Sequence, residues 1–133
     1  MPLTHLNPPT VYPPARNAYS VAVISSGSRH VHLSGVVGRD KDGKHEGDGG
    51  MAAQMRTCMN NVVKILEAAG AKPEHVVRMT IHTTDIQRYI KEGDPERNRH
   101  FTAGKLPTGT LVEITRLANP QALIEVTVDA IMD

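Results

Sequence analysis

The stretch NNVVKILEAAGAKPEHVVRMTIHTTDI, residues 60–86, decides the fold. Together with the residues before it, it places apolar side chains at helical spacing: Met55, Met59, Val62, Leu66 and Ala69. Gly70 stands where a glycine ends a helix, and Pro73 follows it. The next run alternates an apolar set (Val77, Met79 and Ile81) with a polar set (Arg78, Thr80 and His82). This pattern predicts a helix, a short connection and a strand with one apolar face.

Further strands are predicted on both sides of this stretch. Residues 19–25, YSVAVIS, and residues 29–35, RHVHLSG, flank a glycine-containing turn, which predicts a β-hairpin. Residues 110–117 and 122–132 predict two more strands. The last of these alternates an apolar face (Ile124, Val126, Val128 and Ala130) with a polar face (Glu125, Thr127 and Asp129).

A second helix is predicted over residues 86–101, with Asp85 as its N-cap and with Gly93 and Pro95 interrupting it. The predicted order is β-β-α-β-α-β-β. It indicates an α/β (α+β) fold in one domain over residues 1–133, with both helices on one face of a mixed sheet. Five of the nine prolines fall in the first 14 residues, so residues 1–17 are predicted to be an extended lead-in over the surface. The charged, glycine-rich residues 38–50 are predicted to form a solvated loop.

The composition argues against several classes of protein. Lys plus Arg number 15 against 14 Asp plus Glu, so there is no electrostatic case for a nucleic-acid or membrane-surface partner. The single cysteine excludes an intrachain disulfide framework. No stretch approaches the roughly 20 apolar residues of a membrane span, and the N-terminus lacks the features of a secretory signal. We therefore predict a soluble, cytoplasmic protein.

The residues around the deciding stretch resemble those of the YjgF/RidA family. In that family a helix ending in Leu-Glu-Ala-Ala-Gly precedes a strand with the pattern Val-Val-Lys-x-Thr-x-x-x-x-Asp, as residues 66–85 do here with Arg78 in place of the lysine. HLSG, residues 32–35, resembles the Thr-Ser-Gly end of another family strand. LVEI and LIEVTVDAI resemble the last two strands, and Tyr19 falls where the family has its N-terminal tyrosine. The resemblance covers residues 19–131.

This resemblance implies a chorismate mutase-like fold and a homotrimer whose sheets face inward, with small-molecule clefts between neighbouring subunits. Family members typically hydrolyse reactive enamines and imines, which pyridoxal-phosphate enzymes produce, to ketoacids and ammonia. They use no metal and no organic cofactor. The polar face of the predicted sheet would then meet a neighbouring copy instead of water.

The resemblance also draws attention to KLPTGTLVEITRL, residues 105–117. Family members carry Pro-Ala-Arg-Ser at the start of the penultimate strand, and the arginine holds the substrate carboxylate by a bidentate pair. Here the matching residues are Pro107, Thr108, Gly109 and Thr110, so glycine stands in the arginine's place. From the residues alone this segment is either a backbone nest for an anion or a turn entering a strand. The resemblance favours a place in the cleft for Thr108, Gly109 and Thr110.

The other candidate site residues also follow from the resemblance. Tyr19, Ser34 and Gly35 match substrate-binding positions, although Val36 replaces the glutamine that follows Ser-Gly in the family. The acid that orients water matches Glu125 if one residue is inserted near Asn119, whereas a second register places Thr127 there. The cleft asparagine of the family's second helix matches no residue here.

Other features favour structural roles. His30 and His32 have a spacing that can bind zinc, but no third ligand is evident, so we predict surface histidines and no metal. Cys58 lies on the apolar stripe of the first helix, which predicts a buried, unreactive thiol. The run GRDKDGK matches the spacing of a phosphate-binding loop. However, His45 follows the lysine where Ser or Thr is needed, so we predict that this run does not bind phosphate.

Two functions therefore compete. The first is hydrolysis or deamination of a small imine-like metabolite by Glu125 and bound water, without the arginine at position 109. The second is a non-catalytic trimer that binds a small metabolite. RNA cleavage, a third role attributed to the family, is disfavoured by the balanced charge and the aromatic content of 3%.

Overall fold

The computed structural model describes residues 3–45 and 50–133, so part of the predicted loop at 38–50 lies outside the described residues. Its elements follow in chain order: β1 (Thr4–Leu6), β2 (Ala22–Ile24), β3 (Arg29–His32), α1 (Met51–Ala68), β4 (Val76–Thr83), α2 (Ile86–Arg88), α3 (Asp94–Asn98), β5 (Thr108–Glu113) and β6 (Ile124–Met132). A π-helical segment (Tyr89–Gly93) joins α2 to α3. These three segments together are the second helix.

The main sheet has four strands in the order β3-β6-β4-β5. Strands β4 and β5 are parallel, while β6 is antiparallel to both β3 and β4. The predicted apolar faces are largely buried, with Met79, Ile81, Val126 and Val128 at most 2% exposed. The prediction was wrong for Val77, which is half-buried: the bulge between Val76 and Arg78 puts Val76 in the core instead. The predicted α+β fold with a mixed sheet is confirmed.

The predicted hairpin at residues 19–35 is wrong. Strand β2 pairs with β1 in a separate two-stranded sheet, whereas β3 pairs with β6. Gly27, between β2 and β3, packs closely on the end of β6, since a Cβ at this position would lie 2.8 Å from the backbone oxygen of Met132. The lead-in, predicted to be extended, contributes β1, which lies outside the main sheet. It is not extended throughout, because Ala15–Asn17 form a 3-10 turn with positive φ at Arg16 and Asn17.

Helix α1 agrees closely with its prediction. It buries Met55, Met59, Val62 and Leu66 against the sheet, while Ala69 is half-buried at its C-cap. Gly70 has a φ of 83°. Its N–H bonds to Glu67 O at 2.9 Å, and the N–H of Ala71 bonds to Leu66 O at 2.8 Å. These two bonds form a Schellman motif, which ends the helix at the predicted glycine.

The second helix begins as predicted, because the Asp85 side chain accepts a hydrogen bond from Arg88 N at 3.1 Å. The predicted interruption at Gly93 and Pro95 is instead a π-helical segment that leads into α3. Gly93 allows the Tyr89 ring to lie on the backbone, since a Cβ there would come 2.5 Å from Tyr89 Cδ1. Pro95 falls in the first turn of α3, where its missing N–H is tolerated.

Candidate functional site

A cavity of about 500 Å³ lies along β5, between the start of that strand, the second helix and residues 12–21. We call it the β5 cavity. Four residues that the sequence predicted to bind substrate line it together: Tyr19, Thr108, Gly109 and Thr110. The fold therefore brings two segments that are far apart in sequence to one place.

The backbone at residues 108–110 is a strand, so neither the predicted turn nor an anion nest forms there. These residues begin β5 and pair in parallel with residues 78–80 of β4. Gly109 is not among the glycines with positive φ. The Thr108 hydroxyl donates to Val77 O at 2.8 Å, which fixes the start of β5 to the end of the β4 bulge.

Tyr19 lies over Gly109. A Cβ added to the glycine would be 3.4 Å from Tyr19 Cβ, an ordinary to slightly close contact. The segment that carries Tyr19 is fastened next to β5, since Ser20 N donates to Pro107 O at 3.0 Å and the Ser20 hydroxyl donates to Leu106 O. The wall above position 109 is thus held by hydrogen bonds to the residues just before it.

Sequence reasoning missed three arginines that line the β5 cavity: Arg16, Arg78 and Arg97. Arg78 donates to the Thr110 hydroxyl at 3.3 Å. The alternation of β4 placed Arg78 on the polar face but did not indicate a cavity. Arg97 lies on the second helix, which could not be aligned with the family, and Arg16 lies in the lead-in, which carried no motif.

Tyr89 forms an apolar wall of the same cavity and is 0% exposed. Burial raises the pKa of its phenol far above the usual value. The hydroxyl therefore stays protonated at neutral pH. The π-helical segment sets this ring, and its neighbour Ile90, toward the β5 cavity. Such segments often occur at functional sites.

The remaining predicted residues lie elsewhere. Ser34 and Gly35 line a second, more open cleft of about 1030 Å³ between residues 32–43 and helix α1. The Glu125 carboxyl lies against Gly35, where a Cβ would come within 2.6 Å of Glu125 Oε1. On the sheet, Glu125 is opposite His82, and Thr127 is opposite Thr80. Within one chain the predicted site is therefore divided into two groups.

The features assigned structural roles are accounted for. His32 Nδ1 lies 2.6 Å from Asp129 Oδ1, and its ring centroid is 6.2 Å from that of His30. Across residues 3–45 and 50–133, no three His, Cys, Asp or Glu side chains are grouped to hold a metal ion. The predicted burial of Cys58 is confirmed, since it is 0% exposed and its thiol donates to Val36 O at 3.1 Å. Burial raises the pKa of this thiol.

Comparison with known proteins places the chain in a family. The model of the family described as Endoribonuclease L-PSP matches residues 10–132. The human 2-iminobutanoate/2-iminopropanoate deaminase is 31% identical over 116 residues, which cover 80% of this chain and 82% of that protein. The chain belongs to the YjgF/RidA family. The RutC family protein YjgH of Escherichia coli is 32% identical over 104 residues, covering 78% of this chain and 76% of that one.

Solved structures of family members share the fold. A Rid-family protein of unknown function from Yersinia pestis, YyfB, superposes with a TM-score of 0.91 at 25% identity, covering 99% of this chain and 100% of that one. An Entamoeba histolytica structure described as a putative endoribonuclease L-PSP gives a TM-score of 0.71 at 28% identity, covering 98% of this chain and 100% of that one. Among the described residues, no helix is both long and apolar enough to span a membrane.

Proposed function

We propose that this protein is a cofactor-free hydrolase of a small imine-like metabolite, acting in clefts between the subunits of a homotrimer. The observation that carries the proposal is the contact between Gly35 and the Glu125 carboxyl. It sets the Ser-Gly pair of the family beside an acid on the polar sheet face, and it favours Glu125 over Thr127 as the family's acidic residue. A relative that is 31% identical is named 2-iminobutanoate/2-iminopropanoate deaminase, which supports the class of reaction.

Trimer formation would reunite the two groups of site residues. Tyr19, Thr108, Gly109 and Thr110 lie at the β5 cavity of one copy. Ser34 and Gly35 line the other cleft, and the Glu125 carboxyl lies against Gly35. The sheet face that points away from the helices is polar, and in the trimer it would line the inside of the assembly. Its residues on β4 and β6 are Arg78, Thr80, His82, Glu125, Thr127 and Asp129. We infer that the first group of one copy faces the second group of its neighbour.

The chemistry assigned to Glu125 is general-base activation of water. As the carboxylate takes a proton from water, the water oxygen bonds to the imine carbon, and the electron pair of the C=N double bond moves to nitrogen, which gains a proton. The resulting carbinolamine then loses ammonia after a second proton reaches nitrogen, and its hydroxyl gives up a proton to form the C=O group. The two protons that nitrogen gains are those that Glu125 takes from the water and then from the carbinolamine hydroxyl. The carboxylate is thereby regenerated, and water is the only other reactant.

The substrate range differs from that of relatives with an arginine at position 109. Losing a bidentate carboxylate contact in a cleft costs about 2–4 kcal/mol of transition-state binding, or a factor of about 30 to 1,000 in rate. We therefore propose that 2-aminoacrylate is a poor substrate for this protein.

The proposal is tested by supplying imines directly. An amino-acid oxidase generates imines from a panel of amino acids, and a trapping reagent competes with the protein for them, so faster ketoacid and ammonia release reports hydrolysis. We expect Glu125→Gln to abolish the acceleration for the imine that the parent hydrolyses best. Thr127→Val, two residues along the same strand face, is the matched control and retains it. Acceleration that persists in Glu125→Gln and disappears in Thr127→Val would move the acid function away from Glu125.

A non-catalytic metabolite-binding trimer is the second candidate. The observation that favours it is Gly109, which removes the family's clamp while leaving the cavity open. The same panel distinguishes the two. Saturable binding of a ketoacid or imine analogue without acceleration of any imine's hydrolysis would favour the binding trimer.

A further inference from the structure

The β5 cavity carries concentrated positive charge. Three guanidinium groups line it, and none of the described lining residues is acidic. The nearby carboxylate is Asp94, whose Oδ2 lies 3.0 Å from Arg16 Nε and whose Oδ1 lies 3.7 Å from Arg97 Nη2. Asp94 is thus shared by two of the arginines. Asp129, which stands opposite Arg78 on β6, has its Oδ1 2.6 Å from His32 Nδ1. The charged residues that line the cavity itself are all positive.

Arg97 is a built part of the cavity and not a surface side chain. It is 4% exposed, and its Nε and Nη2 atoms donate to Asn98 Oδ1 at 3.1 and 2.7 Å. A guanidinium that is so buried requires compensation, because the cost of desolvating a charge is several kcal/mol. Asp94 is shared with Arg16, so an anion in the cavity would complete that compensation.

Arg78 is the arginine best placed to contact a ligand. Its one hydrogen bond with a described side chain goes to the neutral Thr110 hydroxyl at 3.3 Å, and no ion pair with a described carboxylate engages it. In the register of β4 and β5, Arg78 stands opposite Thr108 and Met79 stands opposite Gly109, so Arg78 and position 109 lie on opposite faces of the sheet. Both residues line the cavity at the β5 edge, and the long Arg78 side chain enters it from the polar face.

We propose that the β5 cavity binds a compact anionic group, a carboxylate or a phosphate, and that Arg78 has taken over the role lost at Gly109. Arg97 adds charge from the second helix, and the Thr110 hydroxyl orients the Arg78 fork. This inference names the ligand class of the proposed hydrolase and rests on that function for its catalytic meaning. Anion binding itself is measured without turnover.

The shift from β5 to β4 also changes which substrates fit. Neighbouring strands are about 4.8 Å apart, so an anion held by Arg78 lies further from the sheet edge than one held from position 109. If the carboxylate is attached directly to the reacting carbon, binding of that carboxylate to Arg78 would draw the reacting carbon away from the position it takes in relatives with the family arginine. We expect a preference for imines that carry a second, more distant anionic group, such as the imine of glutamate over that of alanine.

The direct experiment is calorimetric titration of the folded protein with pyruvate and with inorganic phosphate at constant ionic strength. We expect saturable binding of at least one anion, weakened at least about tenfold in Arg78→Gln and less in Arg78→Lys, which keeps the charge but loses the fork. Arg29→Gln removes an equal charge at an exposed position of β3 outside the described cavities and should bind as the parent does. Tighter binding of pyruvate or of phosphate identifies the anionic group.

Two results would overturn the inference: no saturable binding of either anion by the parent, or equal affinity in the parent and Arg78→Gln. If Arg78→Gln does not fold, an Arg78→Lys affinity equal to that of the parent would also overturn it. Failure of the proposed enzyme looks different. If anion binding depends on Arg78 but no imine is hydrolysed, the anion site stands and the proposed enzyme fails. If the parent and Arg78→Gln hydrolyse the glutamate imine equally fast, the proposed enzyme stands and the role of Arg78 is ruled out.

Discussion

Gly35 lies directly against the carboxyl of Glu125, on the polar face of the sheet. A Cβ at position 35 would come within 2.6 Å of Glu125 Oε1, so Gly35→Ala must push the carboxylate aside. Because the displaced group is the end of a flexible side chain, we expect the free energy of unfolding to change by less than about 1 kcal/mol. Imine hydrolysis should fall at least about tenfold, since a general base must stay within hydrogen-bond reach of its water.

The control for this variant should lose stability and keep its activity. Gly104 has a φ of 80°, and a Cβ added there would have no atom within 4 Å beyond its chain neighbours. Gly104→Ala should therefore lower stability by about 1 kcal/mol through backbone strain alone and leave turnover unchanged. Thermal unfolding and the imine assay are run on both variants. Full activity in Gly35→Ala would show that the carboxylate position is not critical.

Restoring an arginine at position 109 tests the alignment of β5. The backbone there is strand with no positive φ, and the nearest side-chain atom to a new Cβ is Tyr19 Cβ at 3.4 Å. Gly109→Arg should therefore fold, raise the affinity for pyruvate and accelerate hydrolysis of 2-aminoacrylate by about tenfold or more. Gly109→Gln, similar in length but uncharged, serves as the control. A folded Gly109→Arg protein with the parent's affinity and rate would show that position 109 does not face the substrate.

The sequence predicts features that repeat at a fixed spacing along the chain, but it does not predict contacts between distant segments. Alternation and helical spacing predicted β4, β6 and α1 because burial of one face repeats at a fixed period, as Met79 and Val126 show. The pairing of β2 was missed because a local turn signal at Gly27 cannot report a close approach to Met132, which is distant in sequence. Arg16 and Arg97 were missed for the same reason, since they meet across the fold through Asp94.

A pH-dependent contribution to stability is expected at Glu96. Its carboxylate bonds to Arg56 at 2.8 Å and to Arg99 at 3.1 Å, joining α1 to the second helix. The hydrogen bond from Arg56 holds the pKa of Glu96 below its usual value. A depressed folded-state pKa stabilises the protein above the unfolded value of about 4.3, and this contribution is lost as the pH falls through the folded-state pKa.

Glu96→Gln should therefore be less stable than the parent at pH 7, and the difference should vanish in acid. Denaturant unfolding at a series of pH values measures it. Glu67→Gln, at an exposed position of α1, is the control and should show no such trend. A gap between parent and Glu96→Gln that stays constant from neutral to acid pH would rule out the ion pair as its cause.

The polar sheet face predicts association. We expect light scattering coupled to size exclusion to report a trimer, about three times the 14.5 kDa chain mass, at micromolar concentration. A charge placed at the middle of that face, Thr80→Glu, should weaken the assembly because it adds like charges from all three copies to the face proposed to line the trimer. Lys64→Glu, exposed on α1, is the control. A stable monomer in the parent would contradict the trimer.

Mixed trimers test the central claim, that each cleft is built from two neighbouring copies, most directly. Glu125→Gln disables the group around Gly35, and Gly109→Leu fills the β5 cavity, so each pure variant should be inactive. Unfolding the two together at equal amounts and refolding them gives random trimers. About one quarter of the clefts then combine an intact Glu125 with an intact Gly109 from the neighbour, so about a quarter of the parent's activity should return. Mixed trimers with no more activity than the separate variants would show that each site lies within one chain.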